Sequence, residues 1–215
     1  MSKIHTFGVM EQKVQQIESP TEQPTFVAFD PFSAIVIEHL NSRRDLKNKL
    51  RLFNEIITDD RARSINDNGE YRTILFPGNN GEKTDSWEET KQMAIDINNN
   101  GESVIFLPEF KDATSADALV LFGGKPVVAD FKYSGGTNWN TLQKDLEHGF
   151  EQARTIVLKL SKMDTGQFQD TIDYLVRNVK PIGNIKLLNE YGKMLEITSK
   201  ELRYGAYKKK IKGFL

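Results

Sequence analysis

The chain has 215 residues, enough for one sizeable domain or for one domain with a smaller appended segment. With 38% hydrophobic and 27% charged residues, its composition is that of a globular protein and excludes a disordered tail. The absence of cysteine excludes disulfides, thiolate metal sites and a cysteine nucleophile, and no apolar run reaches the roughly 20 residues that a membrane-spanning helix needs. The three histidines, His5, His39 and His148, are scattered, so a bound metal would have to be held by carboxylates. Oxygen ligands favour magnesium, manganese or calcium over zinc. The net charge of −1 does not decide for or against nucleic acid, because positive charge can be confined to one face.

Residues 1–30 are polar, with Pro20 and Pro24 close together; they lack the basic and apolar stretches of a secretory signal and read as an irregular lead-in. From Asp30 and Pro31 onward the spacing of Ile35, Leu40, Leu46, Leu50, Phe53 and Ile57 predicts one or two amphipathic helices over 31–58. Residues 1–60 are thus expected to be a helical N-terminal section. The stretch 61–85, rich in Asn, Asp and Gly and interrupted by a short strand over 71–76, reads as a connector.

Residues 86–215 are expected to form an α/β domain. Ser86 stands at an N-cap position before a helix over 86–99, with Glu88 and Glu89 in its first turn. Three strand-like runs follow, at 103–107, 118–122 and 127–133, the last two joined across Gly123 and Gly124. The loop from Gly123 to Pro126 is longer than the tightest hairpin turns. A long amphipathic helix over about 140–163 is predicted next, then a helix near 168–178 and two apolar bursts, 185–188 and 194–197, in the manner of edge strands. The fold class is therefore α/β, a mixed β-sheet of three to five strands flanked by helices.

Asp117 opens the second of these strands and Asp130 closes the third, so their hairpin brings two carboxylates side by side at one edge of the sheet. Lys132, two residues on, projects from the same face as Asp130, while Phe131 turns to the other face and the core. Asp130 and Lys132 end the apolar run Val127, Val128, Ala129, where a polar side chain needs a partner or a purpose. Two carboxylates and a lysine suit phosphodiester hydrolysis. The acids can hold a hard cation that polarises the phosphate and lowers the pKa of a bound water. The lysine can orient or deprotonate that water and can stabilise charge growing on the phosphate.

Asp117, the Asp130-Phe131-Lys132 tripeptide beyond a glycine hairpin, and a following helix with Gln152 resemble the PD-(D/E)xK nuclease signature. The wider run, with Gly101 to Glu109, Ser115 to Leu119, and Glu151 to Arg154, is similar to the C-terminal tRNase toxin domains of contact-dependent growth inhibition proteins. The likeness spans about 86–162. It implies a restriction-endonuclease-like core and a ribonuclease that uses Mg2+ or Mn2+ against transfer RNA. It also implies a cognate immunity protein, and action in the cytoplasm after delivery from another cell within a larger toxin. By the motif, Asp117 and Asp130 are metal ligands, Lys132 is the water-activating or phosphate-stabilising cation, and Glu89, preferred to Glu88, completes the metal set. Gln152 would contact substrate or a ligand carboxylate. The sequence departs from the pattern at Ala116, where a proline is usual, and has Asp rather than Glu at 130.

Other residues keep more than one reading. Glu109 is a further ligand or an ordinary loop acid, and Arg154 belongs to the site or to a polar helix face. His148 reads as a surface residue. The loop 135–140 is either a surface for a base or phosphate or a helix start capped by Thr137 or Asn138. The basic run Lys208 to Lys212 is either a phosphate contact or a solvated tail. A DNA endonuclease on the same scaffold and a binding module without turnover remain the alternative functions.

Overall fold

The computed structural model describes residues 62–67, 71–76, 79, 81–107, 116–179 and 182–215. The helices expected over 31–58, and Glu109, lie outside these residues. Eight strands form one sheet in sequential order: β1 (Arg63–Asp67), β2 (Arg72–Leu75), β3 (Val104–Phe106), β4 (Ala118–Phe122), β5 (Lys125–Ser134), β6 (Thr155–Leu160), β7 (Asn184–Leu188) and β8 (Met194–Ile197). The β2–β3, β5–β6 and β6–β7 pairs are parallel and the others antiparallel, so the sheet is mixed. Each parallel step is bridged by a helix: α1 (Trp87–Asn99), α2 (Trp139–Gln152) and α3 (Thr165–Asn178). Two short helices, α4 (Ser199–Tyr204) and α5 (Tyr207–Ile211), end the chain. This is an α/β fold with helices flanking a mixed sheet.

The alternation of side chains along the strands divides the core. In β6, Ile156, Leu158 and Leu160 pack with Leu142, Leu146 and Phe150 of α2 and with Phe168, Ile172 and Leu175 of α3. Val157 turns the other way, into a layer with Met93, Ala94 and Ile97 of α1 and with Phe106 and Phe131. Full burial of each such Leu, Ile or Phe contributes roughly 1.5–3 kcal/mol relative to exposure, so both faces of the sheet are held by the helices that cover them.

Four expectations change. The sheet has eight strands, not three to five, because β1 and β2, within the stretch read as a connector, pair into it. The helix expected to run to residue 163 ends at Gln152, Ala153 is extended at φ −145° and ψ 155°, and residues 155–160 are β6. All six residues of β6 are buried, and a central parallel strand covered on both faces carries a continuous apolar run that helical periodicity absorbs as easily as a strand does. The hairpin loop is the two residues Gly123 and Gly124, both at positive φ (54° and 74°), with Phe122 opposite Lys125. That is the backbone a two-residue hairpin turn requires, so Lys125 and Pro126 already belong to β5. Finally, β7 is interior; of the two late strands only β8 is an edge.

Candidate functional site

The tight Gly-Gly turn sets the register of β4 against β5, ending at Ala118 opposite Ala129. One step further along, Asp117 comes across from Asp130, as the hairpin arithmetic requires. Here β4 stops while β5 continues to Ser134 along β6. The backbone N–H of Phe131, left without a β4 carbonyl, donates instead to Asp117 Oδ2 at 2.7 Å. Asp117 is thereby fixed at the point where the two strands part.

Asp130 and Lys132 share one face, and Phe131 packs on the other, edge-on to Phe106 with ring centroids 5.6 Å apart. The Lys132 ammonium lies 2.7 Å from Asp130 Oδ2 and donates to Gln152 Oε1 at 3.4 Å. Asp130 is fully buried; the Lys132 ammonium meets its Oδ2 as an ion pair, and among the described residues no backbone N–H donates to either oxygen. Burial, and then the charge of Asp117, push the Asp130 carboxyl up to about 8, with Lys132 only partly opposing them. Two carboxylates held this close repel each other unless a proton or cation lies between them.

Asp117, Asp130, Lys132 and Gln152 therefore form one cluster, assembled from the end of a hairpin and the last residue of α2. Glu89 is not joined to it by a hydrogen bond or ion pair among the described residues. Its Oε2 is nevertheless buried and without a partner, whereas Glu88 is exposed. No group of three His, Asp or Glu among the described residues stands close enough together to hold a metal. The donors that fit a hard divalent cation are the carboxylates of Asp117 and Asp130, which lie close enough to raise the pKa of the latter.

Access to the cluster is from a cavity of about 240 Å³ between the N-terminal turn of α1 and the parting strands, lined by Ser86, Trp87, Thr90, Asp117 and Lys132 among others. A second, larger hollow of about 670 Å³ adjoins Gln152 and is lined also by Arg154, Tyr174 and Asn178. The nearby loop is a helix start: Asn138 caps α2, its side chain accepting from Asn140 N at 3.0 Å. Trp139, at the first position of that helix, stays exposed.

No protein-family model matches the chain, and no curated protein matches it. Among solved structures, it is similar to the CdiA-CT/CdiI toxin and immunity complex from Burkholderia pseudomallei. The two are 19% identical, over 57% of this chain and 91% of that one, with a TM-score of 0.42. A likeness of that size assigns neither a family nor an activity, so the reading of the site rests on its residues.

Two members of the site are not evident from the motif. Asp145, half-buried on α2, is raised above the usual carboxylate range by burial, while the charges of Lys132 and His148 act in the opposite sense. Gly149 is buried against Asp130 and Ile156. Both share a helical face with Gln152, which lies seven residues after Asp145 and three after Gly149, and that periodicity was the available signal. His148 is exposed, as expected. The terminal lysines are engaged at the surface: Lys208 pairs with Asp173 at 2.8 Å and Lys210 with Glu201 at 2.6 Å, which favours the solvated reading.

Proposed function

We propose that this chain is a metal-dependent nuclease that hydrolyses phosphodiester bonds of transfer RNA, and that it serves as a toxin. The observation that carries the proposal is the arrangement of Asp117, Asp130 and Lys132: two carboxylates across a parting hairpin, one of them fully buried beside the other, and a single ammonium 2.7 Å away. Structure alone gives no reason to bury an incompletely partnered acid beside a second acid, because such a group costs stability. A site that requires negative charge to be concentrated does give one.

Asp117 and Asp130 would hold the ion, Mg2+ or Mn2+, and when bound it supplies Lewis acidity toward the phosphoryl oxygens. Lys132, held by Gln152 and reaching the small cavity, donates toward the phosphate oxygen on which charge grows, or orients the attacking water. Gln152, bridging the cluster and the larger hollow, keeps that ammonium aimed and meets the substrate on its flank. Cleavage is then an in-line displacement, water attacking phosphorus while the opposite oxygen departs with a proton. The choice of transfer RNA, the toxin role, delivery into the cytoplasm of a recipient cell and neutralisation by a cognate immunity protein all rest on the wider sequence resemblance over about 86–162, with its runs Gly101 to Glu109, Ser115 to Leu119 and Glu151 to Arg154.

The test is cleavage of transfer RNA and of duplex DNA by the purified chain with Mg2+ or Mn2+, with and without EDTA. Cleavage of transfer RNA that EDTA abolishes supports the proposal. Cleavage of DNA alone keeps the site and discards the RNA substrate. If both remain intact, and Mn2+ produces no relaxation enhancement that Asp117→Ala removes, the sheet is a binding platform without turnover.

A further inference from the structure

Gly149 lies in the interior of α2, where the backbone is helical and needs no glycine. In such a position glycine is less favourable than alanine by roughly 1 kcal/mol, so its presence requires another reason. The apolar stripe of the helix, Leu142, Leu146 and Phe150, faces the sheet, and Gly149 falls within that buried surface where it crosses Asp130. A Cβ at Gly149 would stand 2.8 Å from Asp130 Oδ2 and 2.9 Å from Ile156 Cδ1, both shorter than side-chain contacts allow. On the same helical face, four residues before and three after, stand Asp145 and Gln152, and Gln152 accepts from the ammonium paired with Asp130.

We propose that Gly149 is a positioning residue: its missing side chain is the space that seats the Asp130 carboxylate beside Asp117 and Lys132. Any larger residue there must drive the short, buried Asp130 side chain aside, because the β5 backbone behind it is paired to β6 from Ala129 to Ser134. The glycine thus sets the geometry of the acid without touching a substrate. The consequence for turnover rests on the nuclease reading; the seating itself does not.

The experiment is a substitution cycle on the full chain, read by thermal melting and, separately, by cleavage of transfer RNA. Gly149→Ala lowers the melting temperature by about 5 °C in the native background, the expected size for overpacking a core position in a chain of this length. In the Asp130→Ala background, where the carboxylate is gone and only the Ile156 contact remains, most of that loss disappears. In the Asp130→Asn background, where its volume remains, the loss persists. An equal loss in all three backgrounds would show that the space serves Ile156 alone and would overturn the proposal. In the turnover arm, Gly149→Ala lowers kcat on the order of 100-fold with KM unchanged. The Gly149→Ala, Ile156→Val double variant, relieved of the Ile156 Cδ1 contact but not of the Asp130 contact, regains only the smaller part of the stability and none of the turnover. Recovery of both would also overturn it. A native chain that cleaves nothing would remove the nuclease reading while leaving the melting cycle to decide the seating.

Discussion

Two buried aspartate–lysine pairs on opposite faces of the same sheet have nearly the same length and a different character. Asp96 of α1 meets Lys159 of β6 at 2.6 Å, both side chains about nine-tenths buried, and the second Asp96 oxygen accepts from Gln92 at 3.0 Å. Every oxygen of that carboxylate has a donor, and the pair joins a helix to the strand beneath it. Asp130 and Lys132, 2.7 Å apart, are two residues distant on one strand and join nothing that the backbone does not already join. Asp130 has the Lys132 ammonium at one oxygen, and the group beside it is a second acid rather than a further donor. An ion pair by itself therefore says little about role; what else the carboxylate touches decides whether it fastens the fold or holds charge for chemistry.

The largest effects should separate the pairs cleanly. Lys132→Ala and Asp117→Ala are expected to lower turnover roughly 10²- to 10⁴-fold, the range for losing a general acid–base or charge-stabilising group, with little change in melting temperature. Asp96→Ala should do the reverse. Leaving Lys159 buried without its partner costs about 3–5 kcal/mol in denaturant unfolding, while turnover per folded molecule is retained. A folded Asp96→Ala protein without activity, or a Lys132→Ala protein that fails to fold, would invert the comparison.

The response to pH is a finer test. The folded chain holds the Asp130 proton up to about pH 8, whereas the unfolded chain releases it near the ordinary 3.8. Between those values the folded state binds more protons, so stability falls as pH rises from about 4 to about 8 and is lowest above that window. Asp130→Asn should flatten this slope in a metal-free melting series. Mn2+ added at about pH 8 should raise the melting temperature of the native chain and not that of Asp130→Asn. An unaltered slope in Asp130→Asn would mean that another group carries it.

The sequence made the cluster legible where local rules decide. The i, i+2 spacing puts Asp130 and Lys132 on one face, and the Gly-Gly turn brings Asp117 across from Asp130, although its loop reads in sequence as running to Pro126. What stayed hidden depends on burial. The run 155–160 satisfies a helical stripe and a fully covered strand equally well, and only the sheet, by burying both of its faces, decides between them. The strand at 72–75 is legible as the short strand over 71–76, but its pairing with β3, and the strand at 63–67 beside it, follow from the sheet and not from their Asn- and Gly-rich surroundings. Gly149 showed in the sequence only as an unfavourable residue within a helix; the reason for it appears once Asp130 is in place beneath it.

The smallest expected effect concerns the two acids that open α1. Glu88 is exposed, and Glu88→Gln should change neither stability nor binding measurably, as is usual for surface positions. Glu89, about 100° around the helix, has one buried oxygen without a partner, which the dipole of the helix N-terminus stabilises but does not satisfy. If Glu89 completes the metal set as the sequence resemblance implies, Glu89→Gln should weaken Mn2+ binding roughly tenfold, a loss of the size seen for supporting groups around a metal, without a matching loss of folding. If Mn2+ binding is unaltered and only the few tenths of a kcal/mol of a first-turn acid are lost, Glu89 belongs with Glu88. The comparison would then tighten to the hairpin itself: two aspartates and one lysine, with α1 supplying the wall of the cavity and no ligand.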